Sequence, residues 1–372
     1  MYIWRMASGL VMKIYDRFRN RKVEFFNEFR FNLVHDAVGS TFSFKFYFEP
    51  FDIELKELAC VTHFHEVTLE YNDELFLTGV LTSQDFTQNP VKTLATFGGY
   101  SKPGVIEDCQ IPPSIYPLQS NGLNLEQIAS KLIRPFKRNY ELTMAIDPNV
   151  QSKMNGSFKT TTATPTQTIK DYLTTLATQK DIIMSHNEKG QLYFTNANTK
   201  QKPILEFDTT KGTTPGTEIS MSYDGQGMHS HITMQKSASA DGGNAGSYTI
   251  RNPYVIGSVY RPAVKTQSSG TDNDTKTAAR RALGNELRNI KLTIVTDRWV
   301  VDGKIIKPNN LISIIAPELY LYYKKDWFIE SINFSGNNQE TVATINCVLP
   351  EVYNDDKVIS VFRNINLHAL NE

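Results

Sequence analysis

The strongest pattern in the first part of the chain is an alternation of apolar and polar residues with a period of two. Phe42–Phe48 has a phenylalanine at every second position, and residues 63–71 and 75–81 alternate in the same way around a turn at Asn72. Successive side chains of a strand point to opposite faces, so this pattern predicts strands with one buried face. The 21 phenylalanines and 17 tyrosines of the chain fit such half-buried surfaces. Short strands separated by turns predict a first β-barrel domain over residues 12–100.

Helical spacing of apolar residues begins after this region. Residues 101–122 are rich in proline and predict an irregular connector. Asn124 is a suitable N-cap for a helix, and Arg134-Pro135 is expected to end it. A strand at 140–146, a helix beginning near Thr164-Pro165 and a hairpin over 182–195 are predicted to follow. Together these elements predict an inserted α/β domain over residues 101–202.

The last part of the chain returns to strands. Period-two segments occupy Pro203–Phe207 and Glu218–Lys236, and residues 237–275 are rich in Gly, Ser, Asn, Asp and Thr, which predicts a long polar loop. A helix is predicted over Thr275–Asn289, and strands over 291–300, 310–316, 326–335 and 340–349. The predicted parts are a second β-barrel domain from 203–236 and 290–353, a polar loop plus helix module at 237–289, and a C-terminal arm at 354–372. The expected fold class is a β-rich α+β protein.

Composition restricts the classes of partner. The 39 basic and 39 acidic residues balance to zero, whereas binding to nucleic-acid phosphates usually needs a basic excess or patch. We therefore expect no nucleic-acid specificity. Cys60, Cys109 and Cys347 are odd in number and widely spaced, which predicts no disulfide framework and favours synthesis in a reducing cytoplasm. No run of 18 apolar residues occurs, so no membrane span is expected.

Motifs that would indicate catalysis are scarce. Neither Gly-x-Ser-x-Gly nor His-Glu-x-x-His occurs. The best metal candidates are two pairs with the same His-x-His spacing, His63 with His65 and His229 with His231, because alternate residues share a strand face. No carboxylate has a recognisable ligand spacing to either pair, and strand histidines are common in proteins without metals. We expect no metal, no cofactor and no enzymatic activity, and favour a structural or binding protein.

The residues after the predicted helix at 275–289 carry a family resemblance. A strand ends at Trp299, a turn follows with Gly303, Pro308 and Asn309, and a closing element contains Leu349, Pro350 and Tyr353. This order resembles tail protein P of Mu-like phages, the baseplate hub. It is also similar to the late-control protein D family and to the hub part of type VI secretion spikes. The resemblance covers about residues 12–353, and the polar segment 237–275 and the tail after Tyr353 depart from it.

The resemblance implies a hub-like fold of two small antiparallel β-barrel domains with an inserted α/β module. It also implies a homotrimeric ring that adapts a sixfold tail tube to a threefold spike. The partners would be the tail tube or a tube-initiator protein, a separate central spike protein and other baseplate proteins. The location would be the virion tail baseplate, after assembly in the host bacterial cytoplasm. No catalytic residues carry over from the family.

Two alternatives come from other features of the sequence. The aromatic-rich strands suggest a carbohydrate- or receptor-binding β protein of a tail tip. The four histidines, His63, His65, His229 and His231, would serve a metal-dependent hydrolase.

Overall fold

The computed structural model describes most of the chain, including nearly all of the predicted strands and helices. The described residues are 10–15, 20–23, 26–58, 60–212, 216–236, 246–255, 259–267, 275–298, 300–301, 303–337, 340–354 and 356–362. Trp299, parts of the predicted polar segment and residues 363–372 of the predicted C-terminal arm lie outside these ranges.

The chain forms two compact units, each built from several stretches of sequence. The first comprises Met1–Asn196, Trp299–Ile306 and Ile332–Ala343, and the second comprises Ala197–Arg298, Lys307–Ser331 and Thr344–Glu372. The domain boundaries expected from the sequence stay a prediction.

The N-terminal stretch of the first unit contains ten strands and five α-helices within the described residues. The strands are β1 (Leu10–Tyr15), β2 (Asn20–Val23), β3 (Glu28–Val34), β4 (Thr41–Tyr47), β5 (Glu66–Tyr71), β6 (Glu74–Gln88), β7 (Thr93–Ser101), β8 (Met144–Ile146), β9 (Ile183–His186) and β10 (Leu192–Thr195). The helices are α1 (Ile53–Leu58), α2 (Val105–Asp108), α3 (Leu125–Asn139), α4 (Gln151–Met154) and α5 (Ile169–Gln179).

The first seven strands form one antiparallel sheet in the order β3-β4-β7-β6-β5-β1-β2. Its core is aromatic, as the alternation of β4 predicts, because Phe42, Phe44 and Phe46 are buried while their neighbours are not. Phe46 packs edge-on against Phe97 of β7, with ring centroids 4.9 Å apart. Such aromatic pairs on adjacent strands determine the register, because a slip by one residue would turn every ring to the other face.

The inserted α/β region packs α3 and α5 beside a small sheet of order β8-β10-β9. Asn124 caps α3 as predicted, in a reciprocal capping box with Gln127. The prediction that α3 ends at Pro135 is wrong, because the helix continues to Asn139. A proline inside a helix removes one helical hydrogen bond. Packing of the next residue, Phe136, against the apolar core offsets this loss.

Two other predicted boundaries in this region are also wrong. The helix expected near Thr164-Pro165 begins at Ile169, because the Thr168 side chain caps it by accepting from the backbone N–H of Asp171. The strand expected over 140–146 is limited to Met144–Ile146. The hairpin predicted over 182–195 is confirmed as β9 and β10.

A histidine of the α/β region binds a loop of the large sheet. His186 ends β9, and its Nε2 lies 2.6 Å from the hydroxyl of buried Ser40, which follows β3. The Ser40 N–H donates to the Ser101 hydroxyl at 3.0 Å, and that hydroxyl donates to the Val38 carbonyl at 2.7 Å. Burial lowers the pKa of His186 from its ordinary 6.5 to about 4. The imidazole is therefore neutral at physiological pH and forms part of a buried polar network.

Acid is expected to destabilise the first unit through His186. Between pH 6.5 and about pH 4 the unfolded chain binds a proton at this residue that the folded chain does not. Its contribution to the free energy of unfolding is constant above this window. It falls by about 1.4 kcal/mol per pH unit within the window, or about 3 kcal/mol in total. Urea denaturation at a series of pH values measures this slope.

The His186→Gln variant is expected to be less stable at pH 7 and to lose this part of the pH dependence. His63→Gln is the matched control, because His63 is exposed and should leave the slope unchanged. An equal slope for the wild type and His186→Gln would contradict the assignment.

The chain from Ala197 onward forms the second unit and adds two short segments to the first unit. Its strands are β11 (Leu205–Asp208), β12 (Thr217–Tyr223), β13 (His231–Lys236), β14 (Ser247–Arg251), β15 (Pro262–Gln267), β16 (Ile290–Thr296), β17 (Val300–Val301), β18 (Lys304–Ile305), β19 (Leu311–Ala316), β20 (Leu321–Asn337) and β21 (Thr341–Val348). Helix α6 spans Thr275–Leu287, close to its predicted bounds. The β17–β18 hairpin and the far end of the β20–β21 hairpin belong to the first unit, where β20 pairs with β3.

Two sheets make up the second unit. One contains β12, β16, β21 and β20 in that order, and β19 links β20 to β11. The other has the order β14-β13-β15, and α6 packs against it. The segment Glu218–Lys236 therefore supplies two strands of different sheets, divided by a 3₁₀ turn at Gly225–Gly227.

The prediction of a long loop over 237–275 is wrong for its described parts, because β14 and β15 pair on either side of β13. These strands are polar because one face of their sheet is solvated. Overall, the structure confirms the β-rich α+β class with mainly antiparallel strands. Closure of the sheets into barrels stays a prediction.

Candidate assembly surfaces

The histidine pairs do not form a metal centre in the described part of the chain. Among those residues, no group of three or more His, Cys, Asp or Glu side chains could hold a metal ion. His63 and His65 lie in the first unit, and His229 and His231 lie in the second.

The first pair does not lie on a strand, contrary to the prediction. Strand β5 begins only at Glu66, and Thr62, which precedes the pair, has a left-handed backbone with φ of 75°. The His63 and His65 rings meet edge to face at 5.3 Å, with His63 exposed and His65 buried. This geometry is that of packed rings, in which the two imidazoles do not face a common ligand.

One histidine of the second pair, His229, helps to attach α6 to its sheet. Buried Glu286 of α6 accepts from the His229 backbone N–H at 2.8 Å and lies 2.9 Å from His229 Nδ1. The Lys265 ammonium donates to the same carboxylate at 3.2 Å. His231 lies 3.0 Å from the Ser230 hydroxyl through its own Nδ1. Both histidines therefore make structural contacts within the second unit.

The turn residues of the family pattern lie at positions with special backbone geometry. Gly303 has a φ of 79° in the tight turn between β17 and β18. Asn309, after Pro308, has a φ of 65°, a conformation that asparagine tolerates better than most residues. Its side-chain oxygen accepts from the backbone N–H of Asn198 at 2.7 Å. The turn before β19 is thereby tied to the start of the second unit. Trp299 lies outside the described residues.

The closing residues of the pattern pack on the main sheet of the second unit. Leu349 is fully buried, and Pro350 begins a 3₁₀ turn that ends at Tyr353. The Tyr353 ring packs on Phe328 with centroids 4.7 Å apart, and the Arg288 guanidinium lies 5.0 Å from the ring centre. Its hydroxyl donates to Glu330 at 2.9 Å. The assignment of all seven residues as a family pattern stays a prediction, but five of them, Gly303, Asn309, Leu349, Pro350 and Tyr353, have structural contacts or backbone roles.

Large apolar side chains are exposed on one part of the first unit. They lie on the segment between β4 and β5 and at the tip of the β6–β7 hairpin. This apolar loop surface consists of Phe51, Ile53, Val61, Phe64 and Val91, with exposed fractions of 90, 74, 54, 69 and 90%. The first segment lies against this hairpin, because the Phe48 ring is 5.0 Å from that of Phe86 in β6 and the Phe48 N–H donates to the Thr93 carbonyl at 3.0 Å. A soluble monomer rarely exposes a concentration of large apolar groups unless another molecule covers it.

The fold of the chain is similar to that of solved tail proteins. It is similar over 94% of its length to the whole 43 kDa tail protein of prophage MuSo2 from Shewanella oneidensis, with a TM-score of 0.75 and 17% identity. Over 93% of its length it is similar to 98% of the tail protein from Neisseria meningitidis, with a TM-score of 0.73 and 14% identity. The chain has a phage tail protein fold. No protein-family model matches the sequence, and no curated protein matches it.

The fold is also similar to that of a secretion-system component. An Escherichia coli component of the type VI secretion system, described as similar to tail proteins gp27 and gp5 of bacteriophage T4, matches 94% of this chain with a TM-score of 0.55. The identity is 9%, and 79% of that protein is covered. The predicted resemblance to Mu-like tail proteins and to type VI secretion spikes is therefore confirmed at the level of the fold. Among the described residues, no helix is long and apolar enough to cross a membrane.

Proposed function

We propose that the chain is a structural hub of a contractile tail baseplate or of a phage-derived injection device. The observation that carries this proposal is the end-to-end match with two complete tail proteins, 100% and 98% of whose lengths are covered. The proposal assigns an assembly role without enzymatic activity.

The proposed hub is a homotrimer. Two sheet domains per chain, repeated three times, supply six similar elements, which suits an adaptor between a sixfold tube and a threefold spike. The partners are the tail tube or tube-initiator protein, the central spike protein and other baseplate proteins. The location is the virion tail, after assembly in the host cytoplasm. The apolar loop surface supports the trimer, because burial of apolar area is the main driving force of stable association.

Charges introduced into the apolar loop surface are expected to break the trimer. Wild-type protein should have a solution mass three times that of the 42.2 kDa chain, and a Phe51→Asp, Val91→Asp double variant should be monomeric. Both side chains are 90% exposed, so the fold should tolerate the change. Light scattering after size-exclusion chromatography measures the mass, and electron microscopy should show a ring only for the wild type.

The control for this experiment is Val264→Asp, an exposed apolar position in the second unit. It should leave the trimer intact. A wild-type monomer at high concentration, with no ring in micrographs, would count against the hub.

Glycan binding is the second candidate, and one exposed aromatic side chain favours it. Most strand aromatics of the first unit are buried, but Tyr260 is 75% exposed with its ring 5.6 Å from that of His231. Arg251 lies opposite His231 on the neighbouring strand. An aromatic face beside polar groups can stack on a sugar ring. A glycan array in which Tyr260→Ala abolishes binding would support this candidate over a purely structural role.

A further inference from the structure

A groove of about 290 Å³ runs along the first half of β20 in the second unit. Its lining includes the five consecutive residues Leu321–Lys325, together with Glu351, Lys357 and residues 359–361. Side chains of a strand alternate between its two faces. Five consecutive residues can line one groove where the groove follows the edge of the strand, and here the pairing with β19 also shifts register between Lys325 and Leu321.

This edge of β20 has no strand partner among the described residues. The hairpin of β20 and β21 closes where the Asn337 N–H donates to the Glu340 carbonyl. Because β20 has 17 residues and β21 has only 8, β21 ends before it reaches Leu321–Lys325. Strand β19 pairs with this half of β20 on one edge, and no β19 residue lines the groove. The groove therefore faces the opposite edge, where backbone N–H and C=O groups can pair with another extended chain.

The groove contains a buried acceptor that lacks a donor. Glu351 Oε1 accepts from the Lys325 ammonium at 2.8 Å. Glu351 Oε2 is enclosed and has no hydrogen-bond partner among the described residues. Buried polar atoms are nearly always hydrogen-bonded, because an unmade bond costs the full desolvation of the group.

The charges and rings of the groove define the chemistry of the occupant. Lys324 is paired with Glu206, and Lys325 with Glu351, but Lys357 is exposed and has no ion-pair partner among the described residues. Tyr323 is 57% exposed beside it, and tyrosine is enriched at protein interfaces. Lys357 fits a carboxylate, and Tyr323 fits an apolar or β-branched side chain.

We propose that this groove binds an extended acidic segment of a partner protein, which adds to β20 as an extra strand. Backbone pairing would supply affinity, and a carboxylate on Lys357 would supply charge selection. The inference does not depend on the proposed trimer, because every residue of the groove belongs to one chain and one unit.

The test is a selection from a library of displayed random octapeptides, with the purified full-length chain as the target. Enriched sequences should combine Asp or Glu with β-branched residues. The best peptide, measured by fluorescence anisotropy, should bind Lys357→Glu and Tyr323→Ala at least tenfold more weakly than wild type. Repeating the selection on Lys357→Glu should enrich Lys or Arg in place of the acidic residue, because the charge on the groove is reversed.

The matched control is Lys304→Glu, which changes a lysine with a 72% exposed side chain in the first unit and should leave binding unchanged. Equal affinity for wild type, Lys357→Glu and Tyr323→Ala would overturn the proposal, as would a failure to enrich acidic sequences. Binding that is seen only after removal of residues 363–372 would also overturn it, because the occupant would then be the chain's own terminus.

Discussion

Replacing Gly99 with valine is expected to prevent the first unit from folding. Gly99 of β7 lies opposite Phe42 on β4 and Leu81 on β6. A Cβ atom at Gly99 would overlap the carbonyl oxygen of Val80 and lie 2.8 Å from the Phe42 ring. The first atom belongs to the backbone of a paired strand and cannot move without breaking the sheet. The cost should exceed the usual 1–3 kcal/mol of overpacking and reach about 4 kcal/mol or more.

The measurement is the yield of soluble protein, followed by urea denaturation of whatever folds. Gly39→Ala is the control, since a Cβ there would meet the Glu107 carboxyl group no closer than 3.4 Å. It should change stability by less than about 1 kcal/mol. A Gly99→Val protein with wild-type stability would show that β6 and β7 do not approach as closely as described.

Truncation of Tyr353 to alanine is expected to destabilise the second unit by about 3 kcal/mol. The change removes a ring that packs on Phe328, a contact with the Arg288 guanidinium and a hydrogen bond to Glu330. Tyr353→Phe keeps the ring and loses only the hydrogen bond, so its cost should be about 1 kcal/mol. Chemical denaturation of both variants separates the packing contribution from the polar one.

The control for these two variants is Tyr320→Ala, because Tyr320 is 63% exposed. Its effect should be within about 0.5 kcal/mol. Equal losses for Tyr353→Ala and Tyr353→Phe would mean that the hydroxyl, rather than the ring, anchors the closing element. No loss in either variant would remove the structural reason for singling out this tyrosine.

Local patterns predicted many individual elements correctly. The alternation of Phe42, Phe44 and Phe46 marks the buried face of β4, and Asn124 with Gln127 marks the start of α3. These features depend on residues close together in sequence, where strand alternation and capping act. The errors arose where distant contacts outweigh local preference. Packing of Phe136 extends α3 past Pro135, and pairing with β13 organises the polar residues 247–251 and 262–267 as strands.

The candidate sites were less accessible from the sequence. The His-x-His spacing grouped four histidines as one candidate metal site. In the structure, however, β5 begins only after the first pair, and Glu286 binds His229 from 57 residues away. The groove beside β20 was not predicted. A run of Tyr and Lys at 322–325 is visible in the sequence, but the lack of a strand on its edge depends on where β21 ends.

The sequence alone determined that this chain is a β-rich protein with an inserted α/β region, and its turn residues pointed to a tail hub. Periodicity and capping encode such features locally, and the similarity of fold to solved tail proteins is present although the identity is only 17% or less. Only the tertiary structure decided which strands pair, why Gly99 admits no side chain, and which edge of β20 stays open. Each of these depends on atoms far apart in sequence, whose approach no local pattern records.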